Sequence, residues 1–440
     1  MHSTSTAARK GLGALTEGTL LRYISFAAFY IAQGLPLGIL VVALPAWLAS
    51  QQLSAAEIGE FVAVVTLPWS LKIIWGPLMD RYGFLPMGRR RPWVISAQSG
   101  LVLSVFALVF LGDPAAQLSS VAAMGFAISL FSSLQDVAVD GMAIDVLPEE
   151  QRARANGLMM GGQVLGMSAS ASAGGALLSE YGLSIAVLPV GILLCLILLL
   201  TIIVRERPGE RLLPWTAGEA SVHAKEMQVD DWKLLVKSLL RAFVLPMSLV
   251  AILAMFIFRI GSGILQAFMP VFTVQGLGWQ DTDYANTQAL ASVISGAFGV
   301  FVGGPLVDRF GALPMARLSG VLWVALGIAA FLLTDLWAEP TAVSVYLIAV
   351  NVLSMVVFIS FASVFMGMCW QRVAATLFAL YMALSNLGLS AGSALMGTLD
   401  SVLSQAQIFL AIGTGGALLL LVLAFLNIDR HRQSVEALGE

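Results

Sequence analysis

Charged residues are scarce in this chain: they occupy 11% of its 440 positions, whereas hydrophobic residues occupy 58%. An ordinary soluble domain is roughly one quarter charged. Because so few charges cannot cover a water-exposed surface, the composition excludes a soluble globular protein and indicates that the solvent is lipid. The net charge is −3, and no block of Lys and Arg with interleaved aromatic residues occurs. Both features argue against nucleic acid as a partner.

Cysteine and histidine are also rare. Cys195 and Cys369 lie far apart within apolar runs, which predicts packing residues rather than a disulfide. His2, His223 and His431 lie outside the long apolar runs, and no metal-ligand cluster or nucleophile–base pair occurs at a workable spacing. Since Gly-Lys-Ser and Gly-Lys-Thr are absent too, no phosphate-cradling loop for ATP is expected. We therefore expect a protein without a cofactor that is neither a pump nor an enzyme; a membrane-embedded enzyme or a sensor is the rival from another class.

Long apolar runs are abundant, and a helix of about 20 apolar residues spans a bilayer core. The first run is too long for a signal peptide and is expected to remain as a helix. Twelve spans are predicted, at 23–48, 57–78, 92–112, 118–143, 156–180, 183–204, 244–275, 285–307, 314–335, 340–369, 373–397 and 404–427. Residues 1–22 and 428–440 are then terminal segments, and 205–243 is a linker.

The basic residues predict how the spans are oriented, because short cytoplasmic loops hold an excess of Lys and Arg. Of the 23 Lys and Arg residues, 21 fall in the N-terminal segment, the even-numbered loops or the C-terminal tail. None falls in an odd-numbered loop, so both termini are predicted to be cytoplasmic. Lys72 and Arg259 are the two that fall deep inside spans, whereas Arg317 lies at the loop end of the span 314–335.

The chain contains an internal repeat. The loop after the second span reads GPLMDRYGFLPMGR from Gly76, and the loop after the eighth span reads GPLVDRFGALPMAR from Gly304. Ten of these fourteen positions are identical at an offset of 228, and Gly38 in the first span matches Gly263 in the seventh at an offset of 225. The repeat predicts two six-helix bundles, 23–204 and 244–427, with a solute site between them near the midplane.

These two glycine-Asp-Arg loops resemble the loop signature of the major facilitator superfamily, and the resemblance covers the whole chain. It implies an all-α membrane protein with 12 transmembrane helices in two pseudo-symmetric six-helix bundles, acting as a secondary transporter and expected to be a monomer. It also implies that the repeated loops latch the two halves on the cytoplasmic side in the outward-open state. The predicted gate residues are Gly76, Asp80, Arg81, Gly304, Asp308 and Arg309.

Three stretches narrow the resemblance: residues 33–36, residues 67–77, and residues 135–141, which read QDVAVDG. Together they look like the branch that holds AmpG muropeptide permeases, acetyl-coenzyme A transporters and some siderophore importers. The resemblance implies a proton-coupled importer of a bulky anionic solute in a bacterial inner membrane, first of all a muropeptide permease. Transport of acetyl-coenzyme A or a siderophore is the alternative.

Ionisable side chains inside spans are costly unless they are paired or face water, so each is a functional candidate. Arg259 lies about halfway along the seventh span, and its guanidinium offers a planar fork to a carboxylate or phosphate. It is either an anion anchor or half of a structural ion pair. Asp136 and Lys72 lie at similar depths, which predicts that they pair and that Asp136 carries the coupled proton. A fixed salt bridge is the alternative.

Other polar residues belong to the same region. Asp140 lies one turn beyond Asp136 on the same face and near the interface, where we expect a solvated or loop-pinning role or a second proton-carrying carboxylate. Four glutamines inside spans are predicted to line the cavity, although each could instead join two helices: Gln33, Gln135, Gln163 and Gln266. Residues 230–241 have an apolar face and a basic face, which indicates either an amphipathic helix on the membrane surface or a simple tether.

Overall fold

The computed structural model describes residues 13–226, 239–370 and 374–439. Long helices dominate these residues, and each of the predicted spans overlaps one of them. They are α1 Thr19–Ser50, α2 Ala55–Arg81, α3 Arg91–Leu108, α4 Leu118–Val146, α5 Glu149–Tyr181, α6 Leu183–Ile203, α7 Pro246–Gly276, α8 Asp281–Phe310, α9 Ala312–Leu332, α10 Pro340–Met368, α11 Ala374–Val402 and α12 Gln405–Leu423. The amphipathic stretch predicted at 230–241 falls largely on residues 227–238, outside the described residues.

Eleven helices within the described residues are long and apolar enough to cross a membrane. The helix α5 is the exception, because its 33 residues include a charged first turn and a stretch rich in glycine and serine. It packs against α1, α6 and α8. Small residues let a helix pack closely against its neighbours in a membrane, so close contact with other helices needs fewer large apolar side chains. That α5 is the twelfth span therefore stays a prediction.

Close contacts between helices repeat in the two halves. A side-chain carbon added at Gly38 of α1 would collide with the carbonyl oxygen of Met167 in α5. One added at Gly263 of α7 would collide with the carbonyl oxygen of Leu389 in α11. Glycine lets two helix backbones approach closely in a membrane, and these two glycines are the pair that the repeat aligns. The duplicated sequence thus specifies a duplicated helix packing.

Irregular turns interrupt the helices that enter the repeated loops. In α2 the segment Leu67–Leu71 is a 3-10 turn that includes Pro68, and in α8 the segment Gly299–Gly303 is a π-helical turn. A proline removes one backbone donor and clashes with the preceding turn. Short 3-10 and π segments within longer helices often mark hinges or functional sites. Both repeated loops therefore follow a helix that has a local break.

The two halves are joined on the side opposite the repeated loops. We name this the far side, and the side with the repeated loops the loop side. Gln275 at the end of α7 donates hydrogen bonds of 2.9 Å and 2.7 Å to the carbonyl oxygens of Ala49 and Leu53 in the first half. The Ser179 hydroxyl of α5 donates to Asp281 at the start of α8, at 3.2 Å. These contacts close the far side.

On the loop side, the glycines Gly76, Gly157 and Gly161 face open space, because a side-chain carbon added at any of them meets no atom within 4 Å. Asp140, which lies on the loop-side part of α4, is exposed. Hydrogen bonds thus join the halves on the far side, and these positions on the loop side are open.

Candidate functional site

A charge pair joins α2 and α4 inside the first half. The Lys72 ammonium forms an ion pair with Asp136 Oδ2, and the two side chains are 15% and 8% exposed. Lys72 Nζ also lies 4.7 Å from the centre of the Trp69 ring, a distance at which a cation is attracted to the aromatic face. The pairing that the matching depths predict is present. Removing either partner of such a shielded pair would leave the other charge uncompensated.

A second carboxylate lies one turn away. Asp140 Oδ1 accepts a hydrogen bond from the Tyr30 hydroxyl of α1, and Tyr30 is buried while Asp140 is exposed. Asp140 is thus exposed and also bonded to a helix of the same half, and whether it is solvated, pins a loop or carries a proton stays a prediction. Two carboxylates therefore lie on one helix face, one paired with Lys72 and the other exposed and bonded to Tyr30.

The central arginine of the second half has a weak neutral partner. Arg259 Nη2 donates a 3.4 Å hydrogen bond to Asn386 Oδ1 of α11. Its Nε atom is buried and has no partner. Within residues 13–226, 239–370 and 374–439, no carboxylate forms an ion pair with Arg259. The alternative of a structural ion pair finds no support among these residues, and the Nε–H group of Arg259 is left without an acceptor.

The predicted cavity glutamines divide into two groups. Gln135 is fully buried and donates to the Phe29 carbonyl oxygen at 2.8 Å, which joins α4 to α1. Gln33 is fully buried and accepts a 3.3 Å hydrogen bond from Gln163, which joins α1 to α5. In this conformation Gln33 and Gln135 cannot touch a solute. Gln266 lies partly exposed, two turns beyond Arg259 on the same helix, so it fits the predicted lining better.

The first repeated loop is tied to its own half. Asp80 accepts hydrogen bonds from Arg89 Nη2 at 2.9 Å and from Arg90. Arg89 also pairs with Asp145 at the end of α4, at 3.1 Å. In the present state these contacts hold the loop against α4. The latch between the halves, which the resemblance places in the outward-open state, stays a prediction.

The second repeated loop differs from the first. Asp308 and Arg309 are exposed, and the Arg309 guanidinium lies 5.4 Å from the centre of the Phe310 ring. Gly76 lies within the last segment of α2, Lys72–Arg81, and Gly304 begins the last segment of α8, Gly304–Phe310. The two loops are alike in sequence, but they are held differently in this conformation.

Three residues that sequence reasoning missed contribute to this arrangement. Tyr30 binds Asp140, and Asn386 binds Arg259. Glu206, the second residue of the predicted linker, accepts hydrogen bonds from the backbone N–H groups of Arg89 at 2.9 Å and Arg90 at 2.7 Å, and from that of Arg91. Burial raises the pKa of the Glu206 carboxyl above its ordinary value, against the effect of those three donors. A lone Tyr or Asn inside an apolar span was the available signal for the first two.

With the helices and the charged groups described, comparison with known proteins assigns the family. The sequence profile of the Major Facilitator Superfamily matches residues 24–393. The chain belongs to this superfamily of membrane transporters. A solved structure titled nucleoside transporter NupG superposes with a TM-score of 0.65, covering 92% of this chain and 98% of that one at 13% identity. That similarity concerns the fold.

The sequence relatives are more specific. The anhydromuropeptide permease of Escherichia coli K12 is 25% identical over 358 residues, which cover 81% of this chain and 70% of the permease. A putative transporter AmpG 4 of Rickettsia conorii is 25% identical over 370 residues, covering 81% of this chain and 84% of that protein. The chain is thus a multi-pass integral membrane protein of the transporter class, similar to AmpG proteins.

Proposed function

We propose that this transporter is a proton-coupled importer of anionic cell-wall sugar-peptides, the muropeptides. One observation carries the proposal: the Arg259 guanidinium near the middle of α7 has one neutral partner at 3.4 Å and a buried Nε without a partner. A carboxylate or phosphate would satisfy these donors with charge-assisted hydrogen bonds. The relative from Escherichia coli, named an anhydromuropeptide permease, supports a sugar-peptide as the anion.

The Lys72–Asp136 pair supports the proton coupling. A carboxylate that exchanges a lysine partner for a proton changes the net charge of its site by one. A transporter that alternates between two states can therefore load the proton in one state and release it in the other. Asp140 is placed to connect Asp136 with the loop side, since it lies one turn away and is exposed. Accessibility from the loop side then corresponds to an inward-facing state, because both termini are predicted to be cytoplasmic.

The solute part of the proposal is tested by uptake of a radiolabelled anhydromuropeptide into proteoliposomes. Arg259→Lys should reduce uptake substantially, because an ammonium cannot reproduce the planar two-pronged donor set. Arg259→Gln should nearly abolish it. Arg432→Gln is the matched control, since Arg432 is exposed on the terminal helix Ile428–Gly439. Uptake by Arg259→Gln at the control rate would refute the anion anchor, and preferential uptake of acetyl-coenzyme A would replace the muropeptide.

The proton part is tested with an imposed pH gradient. Asp136→Asn fixes a neutral side chain, so it should lose accumulation against a gradient and keep exchange of solute across the membrane. If Asp136→Asn protein accumulates the anhydromuropeptide as well as the unmodified protein, Asp136 is not the proton carrier. Attention would then move to Asp140.

A further inference from the structure

A row of contacts joins the charge pair of the first half to the arginine of the second. Asp136 pairs with Lys72, whose ammonium lies 4.7 Å from the centre of the Trp69 ring. The Trp69 carbonyl oxygen accepts a 3.5 Å hydrogen bond from Asn386 Nδ2, and Asn386 Oδ1 accepts one of 3.4 Å from Arg259. We name these five residues the coupling row. Asn386 is its member that binds residues of both halves.

The row crosses between the halves at an irregular part of α2. Trp69 lies in the 3-10 turn Leu67–Leu71, and this turn ends directly before Lys72. One residue before that turn, the Thr66 hydroxyl shares a 2.9 Å hydrogen bond with the Ser390 hydroxyl of α11. Two independent polar contacts therefore join α2 to α11 at this level. Because a 3-10 turn within a longer helix often acts as a hinge, a change at Asn386 acts on the movable part of α2.

On the other side of the crossing, Asn386 is fixed relative to Arg259. A side-chain carbon added at Gly388 of α11 would lie 2.6 Å from the Phe256 carbonyl oxygen and 3.1 Å from Arg259 Cβ. One added at Gly392 would collide with the Ile260 carbonyl oxygen. The helices α7 and α11 are thus in backbone contact on both turns around Arg259. Because the two helices are in direct backbone contact, a displacement of the Arg259 guanidinium acts on the Asn386 amide.

We propose that Asn386 is the positioning residue that transmits occupancy of Arg259 by an anionic solute to the Lys72–Asp136 pair. This inference rests on the proposed function and names the contact that couples its two parts. A carboxylate or phosphate binds a guanidinium more strongly than a neutral amide does, so the solute withdraws Arg259 from Asn386 Oδ1. The amide then keeps one of its two partners. The hydrogen bond from Asn386 Nδ2 to the Trp69 carbonyl oxygen then changes, and the Trp69 ring changes its position relative to the Lys72 ammonium.

Two variants test this role in the full-length protein. Asn386→Leu removes both hydrogen bonds at a similar side-chain size. Asn386→Asp keeps the acceptor for Arg259 and removes the donor to Trp69, so it is the second variant if Asn386→Leu does not fold. Both should transport a radiolabelled anhydromuropeptide with a ratio of protons to solute at most half that of the unmodified protein. Asn386→Leu should change the dissociation constant for the solute by less than about threefold, since it loses one long hydrogen bond. Asn386→Asp should weaken binding further, because its carboxylate competes for Arg259.

The measurement combines solute uptake with a pH-sensitive dye inside the proteoliposomes. Asn351→Leu is the matched control, since Asn351 bonds to Gln288 and to the Leu347 carbonyl oxygen inside the second half. Its proton-to-solute ratio should equal that of the unmodified protein. An unchanged ratio in Asn386→Leu or Asn386→Asp, with gradient-driven uptake intact in the unmodified protein, overturns this inference alone. No gradient-driven uptake by the unmodified protein would overturn the proposed proton coupling and this inference with it.

Discussion

Replacing Gln275 with Ala should weaken closure of the far side. Gln275 lies in the final π-helical turn of α7, Phe272–Gly276, and its amide nitrogen donates to the carbonyl oxygens of Ala49 at 2.9 Å and Leu53 at 2.7 Å. Both acceptors belong to the first half, so both hydrogen bonds must break when the far side opens. Each contributes about 0.5–1.5 kcal/mol net of its replacement by water. Their loss should shift the balance toward the far-side-open state by about 1–3 kcal/mol, or roughly 5- to 150-fold.

A buried cysteine reports the shift. Ala285 is 1% exposed, and a side-chain carbon added at Gly175 of α5 would lie 3.3 Å from Ala285 Cβ, so the position lies between the halves. In a protein with Cys195 and Cys369 replaced by Ser, Ala285→Cys should react slowly with a membrane-impermeant maleimide added on the far side. Adding Gln275→Ala should accelerate labelling by that factor, as long as reclosure is faster than reaction.

A glutamine that does not cross between the halves provides the control. Gln288 pairs with Asn351 inside the second half at 3.2 Å, so Gln288→Ala should leave the labelling rate near that of the parent. If Gln275→Ala and Gln288→Ala label at the same rate, the Gln275 contacts do not hold the far side closed. The interpretation that these hydrogen bonds keep the halves together on the far side would then be wrong.

Two further predictions concern charge. Lys72→Ala should lower the free energy of unfolding by about 3–5 kcal/mol, because it leaves the shielded Asp136 without its partner, and the double variant Lys72→Met/Asp136→Asn should recover most of this loss. Denaturant unfolding in mixed micelles measures the free energy of unfolding of both variants. Equal losses in the single and double variants would contradict the reasoning. Burial, reinforced by the negative charge of Glu206, raises the pKa of Glu210 from 4.5 to about 7. Between those values the folded linker binds a proton that the unfolded linker lacks, so its stability should fall as pH rises from about 4.5 to about 7. Hydrogen exchange of residues 205–221, corrected for intrinsic rates, should show this loss of protection as the pH rises. Glu210→Gln should remove the pH dependence. The same dependence of protection on pH in Glu210→Gln would contradict the assignment to Glu210.

The sequence predicted what depends on periodicity and repetition. The apolar runs predicted the long helices, and the offset between Gly38 and Gly263 predicted equivalent positions that both prove to be close helix contacts. The Lys72–Asp136 pair was predictable because depth within a span follows from counting residues at 1.5 Å each. Contacts that depend on which helices face each other were not predictable. Asn386 reaches Trp69 across 317 positions of sequence, and only the packed arrangement brings them together.

The predicted cavity glutamines also show that the partner of a polar side chain inside a span cannot be predicted from the span alone. An amide inside an apolar span must find a hydrogen-bond partner, but the span alone does not say whether the partner is a solute or another helix. Gln135 finds the Phe29 carbonyl of α1, and Gln33 finds Gln163 of α5. The glycine contacts bring α1 and α5 so close that the short distance between their backbones favours an amide bridge.

The helix packing repeats in the two halves, but the charges inside the spans do not. Equivalent glycine contacts at Gly38 and Gly263 give the two halves the same close helix packing. The charges do not repeat: at the offset of 228 that aligns the loops, Lys72 corresponds to Val300, and at the offset of 225 Arg259 corresponds to Gly34. The proposed proton site therefore belongs to the first half and the proposed anion site to the second. The α2–α11 contact at Asn386 joins the halves at the level of both proposed sites, so it is a direct route by which one could act on the other.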